Sequence, residues 1–299
     1  SRNKMGILFT ILGGMFWGLS GVCGQYLFAV KDINSEWLVT MRLVLAGIIM
    51  IILTLIRQGN VKSIFEIWKN KKDTLRLIAF GLMGMAACQL TYFVTIEKSN
   101  ASTATILQYT SPVLIIVFMA LKNKKMPNIR ELISLIFVVA GTFFIVTHGN
   151  IHSLAISKDA FLWGIASAFT VVIYNLMPVK IMNKYGTIYV LGWGMVIGGI
   201  FMTMISKPWV IPGIWDTSAW LAFFAVIIGG TVFSFSLYLE GVRLIGASKA
   251  SLFASSEPLT STVLTVLVMK ASFKVMDILG LVFILFGGTF LSLKKEDKG

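Results

Sequence analysis

The chain has 299 residues, of which 57% are hydrophobic and only 13% charged. An ordinary soluble domain carries about 25% charged residues, so this composition excludes one and points to a polytopic membrane protein. The formal charge of +13 raises the question of nucleic acid, which its distribution along the chain answers below.

Ten apolar segments have the length of a membrane span: 6–29, 36–56, 76–96, 101–121, 130–147, 159–179, 187–205, 218–239, 247–269 and 276–293. The expected fold is therefore an all-α polytopic membrane protein of ten transmembrane helices. The first segment lacks an Ala-x-Ala-type cleavage site and reads as a retained helix. It contains Gly14 and Gly18, spaced for close helix packing, as are Gly194 and Gly198 in the seventh segment. Arg42 enters the second span about two turns from its edge. Depth alone leaves two readings, snorkelling to the surface or facing a central cavity. The connection 57–75 is the longest and has room for a short surface helix around Ile64, Phe65, Ile67 and Trp68.

The third span carries Gln89, Thr91 and Tyr92. The fourth carries Gln108, Tyr109, Thr110 and Ser111 immediately before Pro112. Proline removes a helix hydrogen bond, and the freed carbonyl must find another partner. Polar groups beside such a break form a wall for a polar ligand or tie helices together. The cluster favours the wall. The sixth span holds Tyr174 and Asn175, and the eighth holds Tyr238. Trp209, Trp215 and Trp220 read as interfacial anchors.

The ninth span, ASKASLFASSEPLTSTVLTVLVM, is the sharpest. Glu257 stands near its middle, followed by Pro258. A carboxylate at that depth costs at least about 2.5 kcal/mol and is a functional hypothesis by default. It could exchange a proton, hold a cationic amine, or serve as a hydrogen-bonded structural carboxyl at the break.

Residues recur at one offset. Tyr92, Ser102, Ala104, Pro112, Leu121, Phe137 and Gly141 return 146 positions later as Tyr238, Ser248, Ala250, Pro258, Leu267, Phe283 and Gly287. Trp17-Gly18 returns as Trp163-Gly164. The expected organisation is two five-helix repeats, 1–150 and 151–299. Five is odd, so the second repeat enters the membrane from the opposite side and inverts the topology. Paired interrupted spans in two such halves are the best sequence pointer to a transport site.

With the amino terminus inside, 19 of the 26 Lys and Arg residues fall on the inner side. Six fall outside: Lys31, Lys98, Lys158, Lys207, Lys270 and Lys274; Arg42 lies within a span. The bias predicts cytoplasmic termini at both ends and makes the basic charge a topology signal. Nucleic acid is not an expected partner. Cys23 and Cys88 read as small core residues. The two histidines, His148 and His152, share one loop, so no metal or other cofactor is expected. The sequence contains no HExxH, G-x-S-x-G or P-loop, so the intramembrane-enzyme alternative lacks machinery. A membrane scaffold, the other alternative, has no need of duplicated, interrupted spans.

Several stretches together resemble the drug/metabolite transporter superfamily, and within it the EamA-type transporters. These are FWGLSG, MRLVLAG with Arg42, QYTSPVL, LWGIASAFTVVIYN, LYLEGVRLIGASKASLFASSEPLTSTVL and LGLVFILFGGTFL. The resemblance covers essentially the whole chain. It implies secondary transport of a small metabolite across the cell membrane, often amino-acid efflux. The cavity would be lined by the first four spans of each repeat. By that resemblance Gln89, Gln108, Tyr109, Tyr174, Tyr238 and Glu257 face the path, and Trp17, Arg42 and Asn175 complete the candidate set. Where family members usually carry an acid after the fourth and ninth spans, this chain has Lys122-Asn123-Lys124 and Met269-Lys270-Ala271. The expected partners are a small-molecule substrate, protons and membrane lipids, with the chain as a monomer or homodimer. Import of a small organic cation, held on tyrosine and tryptophan faces, is the runner-up.

Overall fold

The computed structural model describes residues 2–111, 114, 117, 118, 120, 121, 124, 126–149, 155–245, 253, 254 and 256–292. Pro112 and the run 246–252 lie outside the described residues. Among the described residues, all regular structure is helical.

Helix α1 spans Arg2–Lys31 and α2 spans Ser35–Gln58. The carboxamide of Asn34 accepts from the Trp37 amide at 2.8 Å and starts α2. Gly59, at φ +65°, ends it in the left-handed conformation that a side chain resists. A short helix α3 (Val61–Ile64) and a 3-10 turn (Glu66–Lys69) follow, the surface element expected in this connection. The next helix begins as α4 (Lys71–Ala79), passes through a π-wound stretch (Phe80–Ala86) and continues as α5 (Ala87–Lys98). Then come α6 (Ala101–Gln108), α7 (Ile129–Thr147), α8 (Lys158–Leu176), α9 (Val179–Tyr185) and α10 (Thr187–Ser206). A second composite helix runs from α11 (Thr217–Phe224) through a π-wound stretch (Ala225–Phe233) into α12 (Ser234–Ile245). The chain ends with α13 (Ser256–Met269) and α14 (Val275–Ser292).

Five of these runs are long and apolar enough to cross a membrane: Arg2–Lys31, Ser35–Gln58, Lys71–Lys98, Thr187–Ser206 and Thr217–Gly241. Helices α8 and α9, bent by 46° across a short break, make a sixth. Leu132–Ile145, Ser256–Met269 and Val275–Gly287 are shorter apolar helices. Among the described residues the ten predicted segments are mostly helical, and the fourth is represented by α6 with helical residues beyond it.

Packing alternates between the two parts of the chain. Helix α2 lies along α10, α7 along α14, and α1 against both the α11–α12 run and α13. Helix α8 lies along α5 and α6. Glycines allow the closest of these approaches. A Cβ on Gly18 would stand 2.8 Å from the Glu257 carbonyl oxygen and 2.9 Å from the Ser261 nitrogen. The Gly14–Gly18 pair therefore does what its spacing predicts and seats α1 on the start of α13. Gly194 and Gly198 similarly seat α10 against Phe80, Gly81 and Ala86.

Polar pairs join helix ends that the charge count assigns to one side of the membrane. Lys31 meets Asp216 at 2.5 Å, Lys98 meets Asp159 at 3.4 Å and His148 meets Asp277 at 2.7 Å. Trp37 donates its indole N–H to the Pro208 carbonyl at 3.0 Å. On the other side, Asp73 accepts from Lys184 at 2.7 Å and from the Tyr185 hydroxyl at 2.9 Å. These bonds hold the Asp73 and Asp216 carboxyls below the ordinary carboxylate range and raise Lys31 and Lys184.

Candidate substrate pocket

Arg42 is 3% exposed, so it does not snorkel. Its Nε donates to Thr231 Oγ1 at 2.6 Å, one terminal nitrogen to Gln89 Oε1 at 2.8 Å and the other to the Gly230 carbonyl at 2.8 Å. The guanidinium also stands 5.0 Å from the centre of the Phe93 ring. Thr231 and Gly230 belong to the second π-wound stretch. A π turn displaces the backbone ladder, and the Gly230 carbonyl is open to the arginine and to the Ser234 hydroxyl, 2.6 Å away. All three of these arginine acceptors are neutral. Among the described residues no carboxylate lies within salt-bridge distance of Arg42.

Glu257 stands in the first turn of α13, half-buried. Its amide bonds the Ala254 carbonyl at 2.9 Å, but no described residue hydrogen-bonds its carboxyl. It lies within electrostatic reach of Arg42, Cys88, Tyr92, Tyr109 and Tyr238. Pro258 is buried beside it. The interruption expected at this proline comes just before it, because Pro258 occupies the first helical turn, where no amide donor is needed. The first repeat behaves alike. Helix α6 ends at Gln108, a turn follows at Tyr109 and Thr110, and Pro112 itself lies outside the described residues.

The aromatic candidates form a chain of contacts. The ring of Trp17 meets Phe235 edge-on at 5.1 Å and tilts against Tyr238 at 5.0 Å. Phe235 reaches Tyr174 at 6.1 Å, and Tyr174 stacks on Phe80 at 6.1 Å. Trp17, Tyr174 and Tyr238 are half-buried, each with part of its surface still free. Gln108, also half-buried, donates to the Ser167 hydroxyl at 2.8 Å. Gln89 is buried, and its side-chain oxygen accepts from Arg42. Tyr109 packs against the small cluster of Ile106 and Val138 and lies within electrostatic reach of Glu257 and Tyr238. Asn175 lies on α8, and its side chain is outside the described residues.

An open, mostly apolar groove of about 370 Å³ lies elsewhere, between Thr110, Leu114, Val138, Thr142, Phe143 and Phe161. Of the polar cluster before Pro112 it contains Thr110 alone, and its lining does not suit a polar ligand. Sequence reasoning missed Thr231, Gly230, Phe93, Phe235 and Ser167. The adjacent glycines Gly229-Gly230 within an apolar span were the available signal for the π stretch.

The description "EamA-like transporter family" matches residues 4–147 and 159–293, in two blocks that together cover nearly the whole chain. The chain belongs to the EamA-like transporter family. It is 40% identical to the uncharacterized inner membrane transporter YicL of Salmonella typhimurium, over 97% of this chain and 96% of that one. It is 22% identical to the uncharacterized transporter YyaM of Bacillus subtilis, over 93% and 89% of the two chains. A crystal structure of 17% identity shares the fold with a TM-score of 0.66, over 96% of each chain. With its run of apolar helices, this EamA-type chain is a multi-pass cell-membrane protein.

Proposed function

We propose that this EamA-type chain exports a small zwitterionic metabolite, with amino acids as the leading class, by alternating access between two inverted five-helix repeats, 1–150 and 151–299. The observation that carries this reading is the pair Arg42 and Glu257. The first is a buried cation on neutral acceptors, the second a carboxyl without a described hydrogen bond, each in the field of the other. A zwitterion leaves the charges of such a site balanced, with its ammonium at Glu257. A simple organic cation would engage Glu257 and leave Arg42 uncompensated in a low-dielectric interior, which is costly. The cation-import reading is thereby disfavoured. Trp17, Tyr174 and Tyr238 supply apolar and polar faces around the side chain of the substrate, and Gln108 a further hydrogen bond.

Protonation of Glu257 is the coupling step in this scheme. Substrate and proton compete for one carboxylate, so a proton entering from outside releases the ammonium. The two π stretches at repeat-equivalent positions and the meeting of helix ends by predicted side support the inverted repeats. The positive-inside bias supports two cytoplasmic termini.

Counterflow in proteoliposomes tests the proposal. A panel of unlabelled zwitterionic amino acids is expected to exchange with a labelled one, and quaternary amines lacking a carboxylate are not. Exchange of the amines alone would refute the zwitterion reading. Glu257→Gln should lose at least tenfold of proton-gradient-driven flux, and undiminished flux would remove its coupling role.

A further inference from the structure

A second surface lies apart from Arg42 and Glu257. Between the end of α2 and the start of α4, Arg57, Lys62, Lys69, Lys71, Lys72 and Arg76 are all exposed. Across 57–76 the acids are Glu66, which is exposed, and Asp73, which is already engaged by Lys184 and Tyr185. The segment is fixed in place. Ile64 and Ile67 are buried, and the Ile64 carbonyl accepts from the Tyr189 hydroxyl and from the Trp193 indole. The Ile67 amide in turn donates to the Tyr189 oxygen at 3.3 Å. Asn60 and Asn70 cap the two turns.

That anchoring directs two aromatic rings outward. Phe65 and Trp68 lean on Trp193 at 5.7 and 5.2 Å, yet both remain exposed. Exposed aromatics beside the ends of spanning helices match the headgroup level of a bilayer, where such rings are enriched. Six cations flank them. A soluble anion would need only the charge; the outward Phe65 and Trp68 add an apolar contact suited to a lipid at the headgroup level.

We infer that the segment 57–76 is a docking surface for acidic phospholipid headgroups, with Phe65 and Trp68 dipping between the lipids while the flanking lysines and arginines engage the phosphates. Clusters of four to eight basic residues next to a spanning helix attract anionic lipid, each cation contributing about fivefold in affinity. The fixed backbone presents the cluster without an ordering cost at binding.

The test titrates purified protein in neutral detergent with short-chain phosphatidylglycerol, read by tryptophan fluorescence. Short-chain phosphatidylcholine and inorganic phosphate are the comparison ligands. The glycerol lipid is expected to bind at least tenfold tighter than the choline lipid, with affinity falling as salt rises. The triple variant K69Q/K71Q/K72Q should lose at least tenfold, and K62Q/R76Q a smaller amount. The triple variant K207Q/K270Q/K274Q, which removes cations elsewhere, should bind as the parent does. Circular dichroism and a monodisperse elution profile establish that each variant folds. Equal affinity for the two lipids, retained affinity in both basic-segment variants, an equal loss in K207Q/K270Q/K274Q, or displacement of the lipid by equimolar phosphate would each overturn the inference.

Discussion

The two π-wound stretches occupy equivalent places. Shifting Phe80–Ala86 by the repeat offset of 146 gives 226–232, inside Ala225–Phe233. Their surroundings differ. The first is filled by apolar packing: a Cβ on Gly84 would meet the Phe80 ring at 2.6 Å, and Gly81 faces Ile197 and the Gly194 carbonyl. The second turns Gly230 and Thr231 toward Arg42. At the same offset Arg42 corresponds to Ile188, and Glu257 to Ser111. The π winding recurs at this offset, but Arg42 and Glu257 have no charged counterpart there. Backbone irregularity is thus common to both halves, and the chemistry comes from where they diverge.

Arg42→Ala is the largest way to break that asymmetry. It leaves the Gln89, Thr231 and Gly230 acceptors without their donor, at a cost of about 3 kcal/mol or more. The melting temperature in detergent should fall sharply, and Ile188→Ala should fall far less. Arg42→Lys keeps the charge but loses the planar fork, and is expected to recover only part of the loss.

Thr231→Val tests one arm of the same network. It removes the acceptor 2.6 Å from Arg42 Nε, and a hydrogen bond to a charged group contributes about 1.5–3 kcal/mol. Its repeat equivalent, Met85, has no hydroxyl to lose, and Met85→Leu is expected to cost less than about 1.5 kcal/mol. Equal shifts in denaturation for the two variants would remove the distinction drawn between the π stretches.

Gly18 and Gly164 give a milder comparison. An alanine Cβ at Gly18 collides with backbone atoms of α13, which cannot move aside without shifting Glu257. Gly18→Ala should cost about 1–3 kcal/mol by overpacking. At Gly164 the close atoms belong to the Leu107 side chain, the nearest at 2.4 Å, and a rotamer change relieves part of the clash. Gly164→Ala should therefore destabilise less, and a reversed order of melting temperatures would contradict the packing described.

The smallest effect concerns the ion pairs at the helix ends. Asp216 is depressed chiefly by the hydrogen bond from Lys31, then by the Ala219 amide and the Ser218 hydroxyl. Asp73 is depressed by Lys184 and Tyr185. Their stabilisation is present above the unfolded carboxylate value of about 4 and is lost as pH falls through the depressed values. Lys31 and Lys184 are raised, so their contribution is complete below about pH 10.4 and is lost as pH rises beyond it. Melting temperature should be level between these limits as far as the pairs are concerned. Asp216→Asn and Asp73→Asn should each shrink the decline at acid pH.

Membrane residence was legible in the sequence, because runs of some twenty apolar residues have no other stable home. Of the ten predicted spans, five or six are long and apolar enough among the described residues. Asn34, Asn70, Asn100 and Asp216 cap their helices through local bonds, a signal present in the sequence that apolar patterning does not read. Glu257 was legible too, as an acid out of place in an apolar run. Two things lay beyond local pattern. The π winding of Ala225–Phe233 opens the Gly230 carbonyl to Arg42, a partner distant in the chain, and that of Phe80–Ala86 is packed against the equally distant Gly194 and Ile197. Arg42 was balanced between two orientations, because a long side chain near a helix end can reach water or protein equally well. Only the packing of α2 against α5 and the α11–α12 run decided it, by setting Gln89, Thr231 and Gly230 around the guanidinium. Residues within a span announce what must leave water, whereas the partner each polar group finds there is fixed by helices brought together from opposite ends of the sequence.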